Sequence, residues 1–333
     1  MTADPARPAM PLRRLGPTGP QVSRVGLGLA ALGRPAYITS GRDHDLPDRS
    51  VDGLRARSFA VLDAAYAAGI RYFDAARSYG RAEDFLAGWL VSRGHQDAVA
   101  GSKWGYRYTA GWRLDAPVNE VKEHSLRMFT AQLAETRALV GNRLTLYQVH
   151  SLTEDSPLFG DRALLAALAR LRAEGVLLGL STTGPRQADA LRRAMAVSVG
   201  GAALFGAAQV TWNLLETSVA PAAAEAAQAD WAVLVKESVA NGRLAAGGDA
   251  AADESPLGRA AIRAGVTPDA IAIAAALAQP WATIVLSGAV SVPQLDANLA
   301  APRLDVSPSL AAELGLAEPA DKYWSARSAR TWT

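Results

Sequence analysis

The chain has no cysteine and only four histidines among 333 residues. Without thiols, neither a disulfide framework nor a thiolate metal site is possible, which suits a reducing compartment. The histidines His44, His95, His124 and His150 are scattered and no H-E-x-x-H spacing occurs, so no zinc site is expected. Charge of one sign is equally scarce. The 34 Lys and Arg residues against 32 Asp and Glu give a formal charge of +2 and form no basic run that would track a phosphate backbone, so nucleic acid is not an expected partner. Long hydrophobic runs are missing too: no stretch is long enough to span a bilayer, and the opening "MTADPARPAM" lacks the apolar core of a secretory signal. The expectation is a cytoplasmic protein with no membrane partner.

What is present is a core-forming composition, half apolar and one fifth charged. Short runs rich in Val, Leu and Ile recur, each followed by a stretch with helical spacing, a βαβα rhythm. The runs begin at Ser23, Ile70, Ala98, Leu144, Val176, Ala207, Ala232 and Ala282. Helical stretches between them include "FAVLDAAYAAG", "EDFLAGWLVSRG" and "DRALLAALARLRAEG", each closed by a glycine. Such a series predicts a (β/α)8 TIM barrel over residues 1–333 as a single domain, because parallel strands buried on both faces read as continuous apolar runs. A doubly wound open sheet is the alternative. "LRRLGPTGPQVS", about residues 12–23, carries a Pro/Gly turn that suits a hairpin closing the bottom of the barrel. Residues 33–55 are too long and polar for an ordinary connection and form either a functional loop or a disordered one.

In such a barrel the C-terminal strand ends share one mouth. The second predicted strand ends at Asp74, with Tyr79 five residues on; the third carries Lys103 near its end; the fourth stops at His150. Singly, these residues have ordinary structural readings as a cap, a packed aromatic or a core histidine. On consecutive strand ends they bring an acid, a phenol, an amine and an imidazole together. "FDAARSYG" with Asp74 and Tyr79, "SKWG" with Lys103 and "LYQVHS" with His150 resemble, in order, the Asp, Tyr, Lys and His motifs of the aldo-keto reductases. The resemblance runs from "RRLGPTGPQVSRVGLG" to "LSGAVSVPQLDANL" and covers most of the chain.

That resemblance implies an NAD(P)(H)-dependent enzyme that reduces an aldehyde, ketone or sugar carbonyl, or oxidises the alcohol, by direct hydride transfer. Hydride arrival builds negative charge on the carbonyl oxygen, which calls for a proton donor. Tyr79 fills that role, and an adjacent Lys103 ammonium, held by Asp74, is expected to lower the phenol's pKa. His150, donating from a ring nitrogen, would orient the carbonyl oxygen or assist proton transfer, and no metal is required. Rossmann-type chemistry fits less well, since Gly26, Gly28 and Gly33 of "GLGLAALG" miss the G-x-G-x-x-G spacing and no tyrosine has lysine four residues later.

By the same resemblance, Ser181 and Gln209 hold the nicotinamide amide, with Thr182 where the family usually has Asn. Lys236 occupies the place of a stacking aromatic, with Glu237 beside it. Gly28, Gly242, Ser287, Gly288, Gln294 and Asn298 complete the cofactor set, the last two at the adenosine. Ser291 followed by Gln294 also has the spacing of a capping box. Family habit favours NADP(H); NAD(H) stays open because nothing basic lies between Ala282 and Pro302 to pair a 2′-phosphate.

Trp104, Tyr106 and Trp112, on or after the third strand, are candidates for the substrate wall. The tail, about 302–333, with Tyr323, Trp324 and Trp332, either folds over the mouth or packs outside. A small-molecule carbonyl or alcohol is the expected partner. Two rival readings are a cofactor-binding regulatory subunit of this fold, like the family relatives beneath potassium channels, and a barrel hydrolase or lyase using Asp74 and His150.

Overall fold

The structure is a computed structural model that describes residues 10–38 and 42–333, so residues 39–41 of the predicted long loop lie outside the described residues. The first element among the described residues is an antiparallel hairpin, Leu12–Arg14 (β1) and Gln21–Ser23 (β2), in which Leu12 pairs with Ser23. The barrel begins with Val25–Gly28 (β3), Tyr72–Asp74 (β4) and Val99–Trp104 (β5). A small hairpin, Tyr106–Tyr108 (β6) and Glu120–Lys122 (β7), stands in the loop after β5. Leu144–Leu152 (β8) and Leu177–Thr182 (β9) follow, then a two-residue hairpin, Ser198–Val199 (β10) and Ala202–Ala203 (β11). Ala207–Thr211 (β12), Ala232–Lys236 (β13) and Ile284–Ser287 (β14) complete the series.

Eight of these strands close on themselves in the order β3, β4, β5, β8, β9, β12, β13, β14. Each of the eight apolar runs in the sequence supplies one, and β14 returns to pair parallel with β3. A closed TIM barrel results, not an open sheet. Stretches such as "AVLV" in β13 and "IVLS" in β14 are buried along their length because they face the barrel interior on one side and helices on the other.

The interior has two ends of different character. At the N-terminal end, Leu15 and Val22 from the opening hairpin pack with Tyr72, Val99, Leu146, Leu234 and Ile284 in one apolar cluster, so the hairpin plugs the barrel. Above that plug, the inward positions of the C-terminal halves carry polar side chains. Within the long loop, Gly33 to Ile38 lies buried against the barrel, and a short helix, Arg42–Asp45, precedes the helix Val51–Ala67, which is capped by Ser50.

Truncating the plug tests whether it holds the barrel. Leu15 is fully buried, so Leu15→Ala is expected to lower unfolding free energy in urea by about 2–5 kcal/mol. An unchanged midpoint would mean that the hairpin is not part of the cooperative core.

Candidate active site

The polar layer is organised around one carboxylate. Asp74 ends β4 opposite Gly101 of β5. Its Oδ2 accepts from the Lys103 ammonium, which also donates to the Ala75 carbonyl at 3.0 Å. Its Oδ1 accepts from Gln209 at 3.0 Å, the Tyr72 hydroxyl at 3.3 Å and Gln148 at 3.4 Å. Donors thus converge on Asp74 from four strands. Gly101 is required by this packing, because a Cβ there would fall 2.1 Å from the Tyr72 oxygen. Lys103 is fully buried, and burial lowers its pKa while contact with Asp74 opposes that shift.

Tyr79 sits in the turn after β4, over this pair. The Lys103 nitrogen lies 4.8 Å from the centre of its ring, and the Arg34 guanidinium lies 5.0 Å from the same centre. Burial, followed by the Asp74 charge, pushes the phenol's pKa well above its ordinary value, with Arg34 opposing. The lowering expected from the sequence is therefore not the net effect here. Burial and the Asp74 charge together outweigh the opposing Arg34 guanidinium. Gly33 permits the seating of this turn, since a Cβ there would meet the Tyr79 carbonyl at 2.3 Å.

His150, near the end of β8, stands edge-on to Tyr79 with ring centres 5.4 Å apart, and its Nδ1 is 3.3 Å from the Ser78 hydroxyl. Burial and the charges of Lys103 and Arg34 lower its pKa well below the ordinary value, so it is neutral at pH 7. Its carbonyl accepts from Nε2 of His124, whose Nδ1 accepts from Ser156, both at 2.8 Å. The carbonyl fixes the His124 tautomer, and burial lowers that ring's pKa to about 4.

Asp74, Tyr79 and His150 open onto one cavity of about 1110 Å³, while Lys103 lies beneath its floor. Gly28, Gln209, Lys236, Gly242, Ser287, Gly288, Gln294 and Asn298 also line it. Ser181 and Thr182 do not: Ser181 Oγ accepts the Ser151 amide at 2.8 Å, and Thr182 donates to Gln187 at 3.1 Å, both in the barrel wall. Gln209 spends its amide on Asp74. Asn298 donates to Ser287 Oγ at 2.8 Å, and Ser291 caps the helix Val292–Asn298. The cavity exceeds the ~300–1,000 Å³ usual for small-molecule sites and has room for a dinucleotide together with a small substrate. A Cβ on Gly288 would meet no atom within 4 Å, so the glycine leaves open space at the wall. These features fit an extended nicotinamide dinucleotide.

The lining of the cavity mouth differs from the substrate wall expected from the sequence. Trp104 is fully buried behind β5, packed on Phe129 with ring centres 5.1 Å apart, and Trp112 donates to the Arg49 carbonyl at 2.9 Å; neither lines the cavity. Tyr106 stays close to the site, its ring centre 5.0 Å from that of His150. Arg34, Tyr37, Glu120 and Trp332 line the mouth instead. Arg34 is buried, donates to Glu120 at 2.9 Å and to the Ser78 carbonyl at 3.1 Å, and stacks on Tyr37 and Trp332. Trp332 arrives because Thr333 and Tyr37 exchange both backbone hydrogen bonds at 3.0 Å. Tyr323 and Trp324 are buried elsewhere in the core. The tail thus follows both courses, Trp332 over the mouth and the other two packed into the body.

Lys236 and Glu237 follow the wall toward the tail. Lys236 donates to Thr211 at 2.5 Å, and burial lowers its pKa to about 8. Burial alone would raise the Glu237 carboxyl, but Arg327 and Lys236 hold it at about 2.

A model of the aldo/keto reductase family matches residues 54–314. The chain is similar to D-threo-aldose 1-dehydrogenase of a Pseudomonas species, 28% identical over 197 residues covering 54% of this chain and 56% of that protein. It is also similar to aldo-keto reductase str7 of Strobilurus tenacellus, 31% identical over 195 residues covering 56% and 49%. The matches thus span about half the length of these curated relatives. The fold is similar to that of the holo form of an aldo-keto reductase from Bacillus halodurans, with TM-score 0.68 and 22% identity over 93% of this chain and 97% of that one.

The Lys236 ammonium gives the cavity a titration of its own. With a pKa of about 8 it is charged at pH 7 and neutral at pH 9, so the Kd of an anionic dinucleotide should rise as pH passes through 8, by about 3-fold or more. Lys236→Met should flatten that profile, as read by titrating cofactor fluorescence; an unflattened profile would show that another group titrates.

Proposed function

The chain belongs to the aldo/keto reductase family, and on that premise we propose that it reduces a carbonyl, or oxidises the matching alcohol, with Tyr79 as the proton donor. The observation that carries this reading is the Asp74–Lys103 pair closed off beneath Tyr79 and His150 at the floor of a cavity of about 1110 Å³. When bound, a nicotinamide dinucleotide supplies or takes up the hydride. Gly28, Gln209, Lys236, Gly242, Ser287, Gly288 and Asn298 are the wall residues that would hold it.

The chain's own groups do the rest. The raised pKa of Tyr79 keeps its hydroxyl protonated at neutral pH, ready to donate to a carbonyl oxygen. In the tautomer this step needs, neutral His150 accepts from the Ser78 hydroxyl at Nδ1 and donates from Nε2 to the same oxygen. As the Tyr79 proton leaves, Lys103 over the ring and Arg34 stabilise the phenolate. Asp74, fixed by Gln148, Gln209 and Tyr72, keeps Lys103 in place. In alcohol oxidation the same groups act in reverse.

Asp74 has both oxygens engaged by donors, which disfavours a hydrolase or lyase that uses it as a free base. The complete set of four, with Asp74, Tyr79 and His150 opening onto space enough for two ligands and Lys103 beneath them, favours turnover over a purely regulatory role. The mouth combines the aromatic faces of Tyr37 and Trp332 with the polar Arg34 and Glu120, a wall suited to a hydroxylated carbonyl compound, and the likeness to an aldose dehydrogenase supports a sugar.

Replacing Tyr79 by Phe removes only the hydroxyl. Dinucleotide affinity should be kept while turnover in stopped-flow mixing with a panel of aldehydes, ketones and sugars drops by ~10²-fold or more. Undiminished turnover would remove Tyr79 from the mechanism, and bound cofactor that no carbonyl oxidises, even in the unaltered chain, would favour the regulatory reading.

A further inference from the structure

Tyr79 and His150 define where hydride is exchanged, which leaves the loops after β13 and β14 to meet the other end of a dinucleotide. Ser287, Gly288, Val290, Gln294 and Asn298 line that part of the cavity, and Asp45 lines it with them. Asp45 comes from the short helix Arg42–Asp45, more than two hundred residues away in sequence, and its Oδ2 accepts from Gln294 Nε2 at 2.7 Å. The same Gln294 side chain accepts the Val290 amide through Oε1 at 3.0 Å. Gln294 is thereby fixed at both ends, and what it fixes is a carboxylate at the cavity wall.

The cations lining the cavity on this side, Arg243, Arg327 and Arg330, are each engaged by protein acceptors: Arg327 pairs with Glu237, and Arg330 donates to the Ile38 carbonyl at 2.9 Å and the Asn241 carbonyl at 3.2 Å. Asp249 and Asp269 also line the cavity. Arg243, on the loop after β13, is engaged by Glu318 at 3.1 Å and by Asp249 at 3.1 Å. His44 is 95% exposed and lies 3.5 Å from Asp45. The segment from Ala282 to Pro302 contributes no lysine or arginine.

The two nicotinamide dinucleotides differ only at the adenosine 2′ position. NAD(H) has a hydroxyl there, which donates to a carboxylate. NADP(H) has a phosphate monoester, close to a dianion at pH 7, which a carboxylate repels and which needs an unengaged cation. We propose that Asp45, held by Gln294, faces the adenosine 2′ position and selects NAD(H) over NADP(H). The inference rests on the cavity being a dinucleotide site, as proposed above. It makes Asp45 a specificity residue, remote from Tyr79 and with no part in proton transfer.

The test is binding rather than turnover. Dissociation constants for NADH and NADPH are measured by calorimetry and cofactor fluorescence on the full chain and on Asp45→Asn, which retains an oxygen acceptor for Gln294. The unaltered chain should bind NADH at least ~10-fold more tightly than NADPH, and the preference should shrink ~5-fold or more in the variant and also as salt screens the repulsion. Thermal melts of both proteins should coincide, showing that the loop is intact. Equal or tighter binding of NADPH by the unaltered chain would overturn the proposal. So would a preference for NADH that Asp45→Asn leaves unchanged, since the discriminating group would then lie elsewhere. Failure of both dinucleotides to bind would refute the reading of the cavity itself, and the role of Asp45 with it.

Discussion

Lys103 is buried at zero exposure, and the polar layer at the mouth of this barrel is arranged around it. An ammonium removed from water is costly, and its Coulomb attraction to one carboxylate offsets that cost only if the remaining polar groups are satisfied. Asp74 meets the requirement with donors from β4, β5, β8 and β12, and Gly101 makes room for the Tyr72 hydroxyl among them. Well-packed apolar side chains at these positions would serve stability at least as well. A buried ion pair kept beneath a phenol and an imidazole is therefore best understood through its chemistry.

The same logic separates the two ends of the barrel. Below the pair, Leu15 and Val22 close the interior with apolar packing. Above it, the wall is made by loops tied together across long sequence distances: Arg34 to Glu120, Glu237 to Arg327, Tyr37 to Thr333 and Asp45 to Gln294. Most of these ties are charge-assisted, so the cavity is shaped by polar contacts over a floor that is itself an ion pair.

What the sequence disclosed and what it withheld follow from the range of the interactions. The eight strands were legible because burial on both faces leaves continuous apolar runs, a local signal, and Asp74, Tyr79, Lys103 and His150 were legible because each marks a strand end or the turn after one. Arg34 and Glu120 gave no such signal: they stand 86 residues apart, one in a loop and the other opening the short strand β7, and their pairing exists only in three dimensions. Trp332 was visible only as one of two possible courses for the tail, settled by its backbone exchange with Tyr37. Trp104 and Trp112 looked like substrate-wall residues because aromatics near a barrel mouth often are. Their actual partners, Phe129 and the Arg49 carbonyl, are a helix face and a loop that local sequence does not bring near. Asp45 carried no mark at all until Gln294 was found against it.

The proposed role of the Asp74–Lys103 pair is proton chemistry at Tyr79 rather than stability. A double-mutant cycle with Asp74→Asn, Lys103→Met and the combination, read by urea unfolding and by single-turnover kinetics, separates the two roles. Each single change should cost about 3–5 kcal/mol by leaving a buried group uncompensated, and the combination should regain most of that stability while staying inactive. A combined variant that still turns over at the unaltered rate would show that the pair plays no part in the proton chemistry.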